Sequence, residues 1–238
     1  MAELLVVVPT YNERESLPGV VARIRAAVPE AHILIVDDNS PDGTGALADS
    51  LSNDAVSVLH RPGKQGLGRA YLAGFERAIS GGYRFVAEID ADGSHDPAEL
   101  PAMLALAIDG ADLVIGSRWV PGGAVRNWPW LRQAISRAGN GYSRFMLRSG
   151  IRDITAGYRI FRTEALSGLA LDGVASQGYC FQVELAWRLE RSGAVVVEHP
   201  ITFVERAQGR SKMHLGIVTE ALLRVTGWGL TAGLPKRN

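Results

Sequence analysis

An α/β fold built on a mostly parallel sheet is what this sequence of 238 residues predicts, and three observations predict it. Short apolar runs alternate with stretches of helical period through the first half of the chain, the order in which each strand is followed by a crossover helix. The runs are apolar on nearly every residue, as in strands covered on both faces. Two of them end in acid, at Asp37-Asp38 and at Asp90-Ala91-Asp92, and open α/β sheets bind ligands beyond the carboxyl ends of their strands.

Taken in order, Leu4 to Val8 predicts the first strand, which Pro9 ends, and Ser16 to Val28 predicts a helix with Leu17, Val20, Val21, Ile24 and Val28 on one stripe. His32 to Val36 is the second strand. The turn chemistry of Asp37 to Gly43 leads into a helix from Thr44 to Leu51 and a short strand from Val56 to Leu59. Arg61 to Gly68, RPGKQGLG, is a basic, glycine-rich loop before a helix from Arg69 to Ile79. Its amides could cradle phosphate, although it matches neither the P-loop spacing nor GxGxxG.

Tyr83 to Pro97, YRFVAEIDADGSHDP, organises the rest. Its first half is a buried strand, and its second places Asp90, Asp92 and Asp96 at the strand end. Asp90 and Asp92 are two apart, which on extended backbone puts both on one face, where they could hold a hard cation such as Mg²⁺ or Mn²⁺ together with substrate phosphates. The plainer reading is a solvated acidic turn, and for Asp96 it is the better one, as the cap of a helix from Pro97 to Ile108. A strand from Asp112 to Ile115 then ends in Gly116-Ser117-Arg118, where the guanidinium suits an anion opposite the carboxylates.

Beyond Gly122 the alternation breaks. Pro121 to Pro129 predicts a loop, and Leu131 to Leu147 a long helix with Leu131, Ala134, Ile135, Ala138, Tyr142, Phe145 and Met146 on its apolar face. Arg137, Arg144 and Arg148 fall on another face, either a solvated stripe or a docking strip for an anionic membrane surface. Asp153 to Arg159 leads into a strand near Tyr158 to Phe161, followed by a helix from Phe181 to Arg191 and β-rich runs at Val195 to Glu198 and Ile201 to Glu205. Arg206 to Lys212, RAQGRSK, reads either as an ordinary basic surface loop or as a flexible anion clamp ordered by the donor, and Met213 to Leu230 predicts an amphipathic helix. One domain over residues 1–230 with a tail at 231–238 is expected.

Composition narrows the function. Lys and Arg number 25 and Asp and Glu number 25, so no global field recruits nucleic acid. A single cysteine, Cys180, excludes an internal disulfide and a cysteine-rich zinc site, and fits a reducing compartment. The N-terminus lacks a basic leader and no run reaches the length of a membrane span. A protein that is soluble or peripheral to a membrane is expected.

Seven motifs in register then give a resemblance: PTYNE (Pro9 to Glu13), VDDNSPDGT (Val36 to Thr44), GLGRAYLAG (Gly66 to Gly74), DADGSHDP (Asp90 to Pro97), GSRW (Gly116 to Trp119), DITAGYR (Asp153 to Arg159) and RAQGRSK (Arg206 to Lys212). The sequence closely resembles the dolichol- or polyprenol-phosphate mannosyltransferases, inverting glycosyltransferases of the GT-A, Rossmann-like fold. The resemblance implies that Pro9, Tyr11, Glu13, Val36 and Asp38 hold the guanine and ribose of GDP-mannose. It implies that Asp90, Ala91 and Asp92 meet Mg²⁺ or Mn²⁺ and the diphosphate, and that Arg118, Arg206 and Lys212 grip phosphate or sugar, with Asp90, Asp92 and Arg118 as the catalytic set. Some members carry Gln at the position of Ser94, whose shorter side chain reaches a metal directly or through a water.

The acceptor implied is a polyprenyl or dolichyl phosphate, approached by Arg137, Arg144, Arg148, Thr155 and Arg159. The place implied is the cytoplasmic face of a membrane, beside a membrane-embedded partner. At this level, transfer of another sugar from a UDP donor and a non-catalytic sugar-nucleotide-binding subunit remain the alternatives. A dinucleotide oxidoreductase is disfavoured, since PTYNE and not a glycine fingerprint follows the first strand.

Overall fold

A computed structural model describes residues 3–171, 174, 179–205 and 215–231. Arg206 and Lys212, with the expected anion clamp between them, and tail residues 232–238 lie outside the described residues. The expected alternation is present: β1 (Leu4–Thr10), α1 (Leu17–Ala27), β2 (His32–Asp37), α2 (Thr44–Leu51), β3 (Val56–His60), α3 (Leu67–Ser80), β4 (Phe85–Glu88), α4 (Leu100–Ile108) after a single 3₁₀ turn, and β5 (Leu113–Ser117). There follow β6 (Ala124–Arg126), α5 (Trp130–Leu147), β7 (Arg159–Arg162), α6 (Thr163–Ser167), α7 (Tyr179–Arg191), β8 (Val196–Pro200), β9 (Thr202–Val204) and α8 (Leu215–Thr231).

The main sheet runs β3-β2-β1-β4-β7-β5-β8. Its neighbours pair in parallel except β7, which runs antiparallel to both β4 and β5. Reversal of β7 brings its first residue, Arg159, opposite Glu88 and Ile115, at the end where β4 and β5 finish. Strands in this position must be apolar on both faces, and they are. Val6, Val8, Ile33 and Ile35 pack under α1 and α4, with Leu17, Ile24 and Met103, while Leu5, Val7 and Leu34 pack on the other side against Tyr71 and Phe75 of α3 and Phe181 of α7. Gly74 lets α3 lie directly on β1, since a Cβ there would sit 2.5 Å from Val7 Cγ1. Strand order turns at β1, between β2 and β4, and the crevice beyond these strand ends is the natural ligand site.

One expectation needs correcting. Ala124 to Arg126, expected within a loop, pairs in parallel with Thr202 to Val204 in a second, two-stranded sheet. In α5 the apolar face meets the core only in part: Tyr142 and Met146 pack against it, Leu131, Ile135 and Phe145 are exposed, and the buried residues are Asn140, Ser143 and Leu147. Periodicity identifies which residues share a face but not what that face meets. Here the polar side of α5 is anchored by Asn140, whose amide donates to the Ser136 carbonyl and the Thr155 hydroxyl.

Candidate active site

Strand β4 delivers the acids. Asp90 accepts a hydrogen bond from the Tyr71 hydroxyl at 3.1 Å, and Tyr71 is fully buried on α3, so one carboxylate oxygen is fixed by the core. Asp92 accepts from the Ser94 amide at 3.0 Å, an Asx-type turn that Gly93 permits by adopting φ +75°. Ser94 is buried, and its hydroxyl has no partner among the described residues. His95 lies 4.0 Å from Asp90, packed against Tyr158 and Phe203, and burial pushes its pKa down to about 4, so its ring is neutral at pH 7. Beneath the site, burial raises the carboxyl of Glu88 to about 8, against the opposing pull of Arg159, so it too is uncharged at neutral pH. Asp96 behaves as expected and caps the following turn through the Ala98 amide.

The second acidic strand end divides its labour. Asp37 is structural: it accepts from the hydroxyls of Thr10 at 3.0 Å and Ser40 at 2.6 Å, which ties the end of β2 to β1. Asp38 accepts from Arg61 at 2.5 Å and from the Gln65 amide at 3.3 Å, so this carboxylate draws the basic loop over the strand ends. Burial raises its pKa while Arg61 opposes the rise. Lys64 of the same loop stands 4.1 Å over the ring of Tyr11, and Glu13 accepts from the Ser16 hydroxyl at 2.9 Å. Pro9, Tyr11 and Glu13 are partly exposed on the rim. Val36 and Ala91 bury their side chains in the core, so only their main-chain atoms are available to a ligand.

The third strand end, β5, presents Arg118. Its amide and its Nε and Nη2 atoms all donate to Asp153, at 2.8, 2.7 and 2.6 Å, and Nη2 also reaches the Thr155 hydroxyl at 3.0 Å. Both members of the ion pair are buried. This two-pronged geometry fixes the guanidinium plane as lysine could not. Arg118, Arg137, Arg144 and Arg152 line one cavity of about 310 Å³ with Trp119, Asn140 and Gly141. Arg137 lies 4.6 Å over the Trp119 ring, and the indole N–H groups of Trp119 and Trp128 are buried without a partner among the described residues. Four guanidinium groups line it against the buried carboxylate of Asp153 and that of Glu198, which accepts from the Arg152 and Asp153 amides, and the excess of cations suits an anion.

The arginine stripe of α5 borders this cavity. Arg137 and Arg144 line it with Arg118 while remaining exposed. Arg148 leaves their line, because α5 ends there in a left-handed turn at φ +53°. Arg159 is not on the acceptor side at all: it is wholly buried and donates to the carbonyls of Ala156, Gln182 and Ile154 at 2.7–2.8 Å. It holds in place the turn that carries Asp153 and Thr155. Thr155 itself stands where Asn140 of α5 and Arg118 meet. Site residues not singled out from sequence are Tyr71, Asp153, Asn140, Arg61 and Arg152. Asp153 was findable, since it opens the DITAGYR motif and Arg118 needs a counter-charge; the others become neighbours only through the fold.

A cation fits the acidic end. Among the described residues no cluster of three or more His, Cys, Asp or Glu side chains could enclose a metal, but Asp90 and Asp92 offer two carboxylates beside the orphaned Ser94 hydroxyl. Hard oxygen donors in that number suit Mg²⁺ or Mn²⁺ completed by phosphate oxygens.

Comparison with known proteins identifies the family and the fold. Residues 5–169 match the model of glycosyl transferase family 2. A polyprenol monophosphomannose synthase of Mycolicibacterium smegmatis is 55% identical over 235 residues, covering 98% of this chain and 89% of the relative. An undecaprenyl-phosphate mannosyltransferase of Micrococcus luteus is 54% identical over 231 residues, covering 96% and 95%. Among solved structures, glucosyl-3-phosphoglycerate synthase from Mycobacterium tuberculosis, in complex with Mn²⁺ and UDP-glucose, superposes with a TM-score of 0.67 at 19% identity over 99% of this chain and 80% of that one. At that identity the likeness is one of fold.

Proposed function

The chain belongs to glycosyl transferase family 2, and from that premise we propose that it transfers mannose from GDP-mannose to a polyprenyl phosphate with inversion, at a membrane surface. The observation that carries the reading is the arginine cavity beside the acidic end of β4, which sets an anion-binding space next to a space suited to a metal-bound diphosphate. The names of its two close relatives support the sugar and the lipid acceptor.

In this reading the rim formed by Pro9, Tyr11, Glu13 and Asp38 receives the guanosine, with Arg61 and Lys64 closing over it. Asp90 and Asp92 would hold Mg²⁺ or Mn²⁺ against the diphosphate, where a divalent ion offsets the charge developing on the leaving group. The acceptor phosphate is already ionised at neutral pH, so its oxygen attacks the anomeric carbon without a general base. As the C1–O bond to GDP breaks, the electron pair leaves with the diphosphate and the α-linked donor gives a β-mannosyl phosphate. Repulsion between the two anions is the obstacle. Two unit charges 5 Å apart at an effective dielectric of 20 repel by about 3 kcal/mol, which Arg137, Arg144 and Arg152, none of them in an ion pair among the described residues, would offset.

Two results are expected. Arg137→Gln/Arg144→Gln should raise KM for a short polyprenyl phosphate by about a hundred-fold, since each charge-assisted contact is worth about 1.5–3 kcal/mol, with KM for the donor within about twofold; steady-state kinetics in both substrates measures this. An unchanged acceptor KM would remove these arginines from the site. In a second test the wild-type protein is offered labelled GDP-mannose with polyprenyl phosphate, free polyprenol or 3-phosphoglycerate. Only the first should be mannosylated. Product from the free alcohol or from 3-phosphoglycerate would overturn the reading.

A further inference from the structure

Asp90 and Asp92 stand beyond the end of β4, outside the sheet, and a carboxylate there has to be held if it is to meet a cation in one place. Asp92 is held from its own turn, by the Ser94 amide. Asp90 is held from another element: the hydroxyl of Tyr71, in α3, donates to its Oδ1 at 3.1 Å, from 19 residues earlier in the chain. The Asp90 side chain is 32% exposed while Tyr71 is wholly buried, so the bond runs from the core outward to the site.

The ring of Tyr71 has little freedom. It lies nearly parallel to the rings of Phe75 and of Phe181 in α7, at interplanar angles of 19° and 7° and centroid distances of 6.3 and 6.4 Å. Helix α3 itself is seated by two glycines, each three residues from Tyr71 and on the same side of the helix. A Cβ at Gly68 would lie 2.8 Å from the Phe181 ring, and one at Gly74 would lie 2.5 Å from Val7 Cγ1. The backbone therefore meets α7 at one point and β1 at the other more closely than any residue with a side chain could. Two such contacts fix how far the Tyr71 hydroxyl reaches toward the strand ends.

We propose that Tyr71 is a positioning residue for the divalent cation: its hydroxyl sets the Asp90 carboxylate in the orientation that Mg²⁺ or Mn²⁺, shared with Asp92 and the diphosphate, requires. The proposal rests on the reading of Asp90 and Asp92 as metal ligands given above. At neutral pH a tyrosine donates to a carboxylate and carries no charge, so it orients the ligand without setting a second cation beside the metal. A carboxylate that must be immobilised as the ion arrives gives up rotamer freedom at that moment, and hydrogen-bond partners of ligating side chains are worth about 10- to 100-fold in metal affinity. On the Oδ2 side of Asp90, His95 Nδ1 is 4.0 Å away, too far for a hydrogen bond that could stand in for the tyrosine.

The test is calorimetric titration of GDP into the whole chain, once with Mn²⁺ and once with EDTA, for the wild type, Tyr71→Phe and Ile24→Val. The ratio of the two affinities is the gain that the cation contributes. Tyr71→Phe removes the hydroxyl and keeps the stacked ring, so it should fold. Ile24→Val, in the core on the other face of the sheet, loosens the fold without touching α3. In Tyr71→Phe the gain from Mn²⁺ is expected to fall at least about tenfold, while the affinity for GDP in EDTA stays within about twofold. The Mn²⁺ concentration for half-maximal transfer should rise by a similar factor, with kcat at saturating Mn²⁺ within about threefold of the wild type. Ile24→Val should lower the urea midpoint and leave the gain within about twofold. An unchanged gain in Tyr71→Phe would overturn the proposal, and so would an equal loss of gain in Ile24→Val, which would make the effect one of general loosening. Loss of GDP affinity in EDTA to the same extent as in Mn²⁺ would also overturn it. No gain from Mn²⁺ in the wild type would overturn the metal reading itself, and the proposal with it.

Discussion

Asp92→Ala is expected to lower mannosyl transfer by about a thousand-fold or more, the scale on which removal of electrostatic stabilisation at a leaving group acts. The carboxylate is at the open end of β4, turned by its own hydrogen bond from the Ser94 amide, so the substitution removes a ligand without removing core. Ser94→Ala makes the contrast. Its buried hydroxyl has no partner among the described residues to lose, it is shorter than the glutamine that some relatives carry, and water can replace it; at least about a third of the activity should remain, since a replaceable neutral contact is worth well under 1 kcal/mol. Labelled polyprenyl product at saturating Mg²⁺ measures both. Equal loss in the two variants would make Ser94 a required ligand, and near-normal turnover in Asp92→Ala would remove the metal from this site.

Breaking the buried ion pair between Arg118 and Asp153 is the second large effect. Asp153→Ala leaves the Arg118 guanidinium, which is nearly solvent-free, without its counter-charge, and an uncompensated charge of that kind costs about 3–5 kcal/mol. It also frees the guanidinium plane that the Nε and Nη2 bonds to one carboxylate had fixed, so transfer should fall by about a hundred-fold or more, since a small misplacement at a site of this kind costs that much. Arg118→Met/Asp153→Ala separates the two consequences. Removing both charges should restore most of the stability measured by urea unfolding, yet leave transfer as low as in the single variant. Recovery of transfer in the double variant would mean that the pair serves the fold alone.

The strands and the acids were legible in sequence because both are local. A buried parallel strand is a continuous apolar run, and Asp90 and Asp92 announce themselves by standing at the end of one. Arg118 was legible for the same reason. Its partner was less so: Asp153 is 35 residues away, and only β7 entering the sheet in reverse brings the two together. The same reversal explains Arg159, which follows a motif and reads as an acceptor contact, but whose place opposite Glu88 puts it inside the molecule. The α5 pattern was divided into an apolar and a basic face, and the side that the core takes up most fully belongs to neither. A helical period carries no information about which side meets the core, and here the buried side is held by Asn140 and Ser143, residues that a hydrophobicity pattern passes over.

The central claim is the identity of the donor and the acceptor together. GDP-mannose, UDP-glucose and UDP-N-acetylglucosamine, each labelled in the sugar, are to be offered to the protein with a short polyprenyl phosphate and either Mg²⁺ or Mn²⁺, and the lipid product followed and its anomeric linkage determined. Mannosyl lipid in β linkage, formed at least about a hundred-fold faster than any product from the UDP donors, is the result expected, a ratio within reach of a site that hydrogen-bonds one base and not the other. Preferred formation of a glucosyl or N-acetylglucosaminyl lipid, or no labelled lipid from any donor, would contradict it.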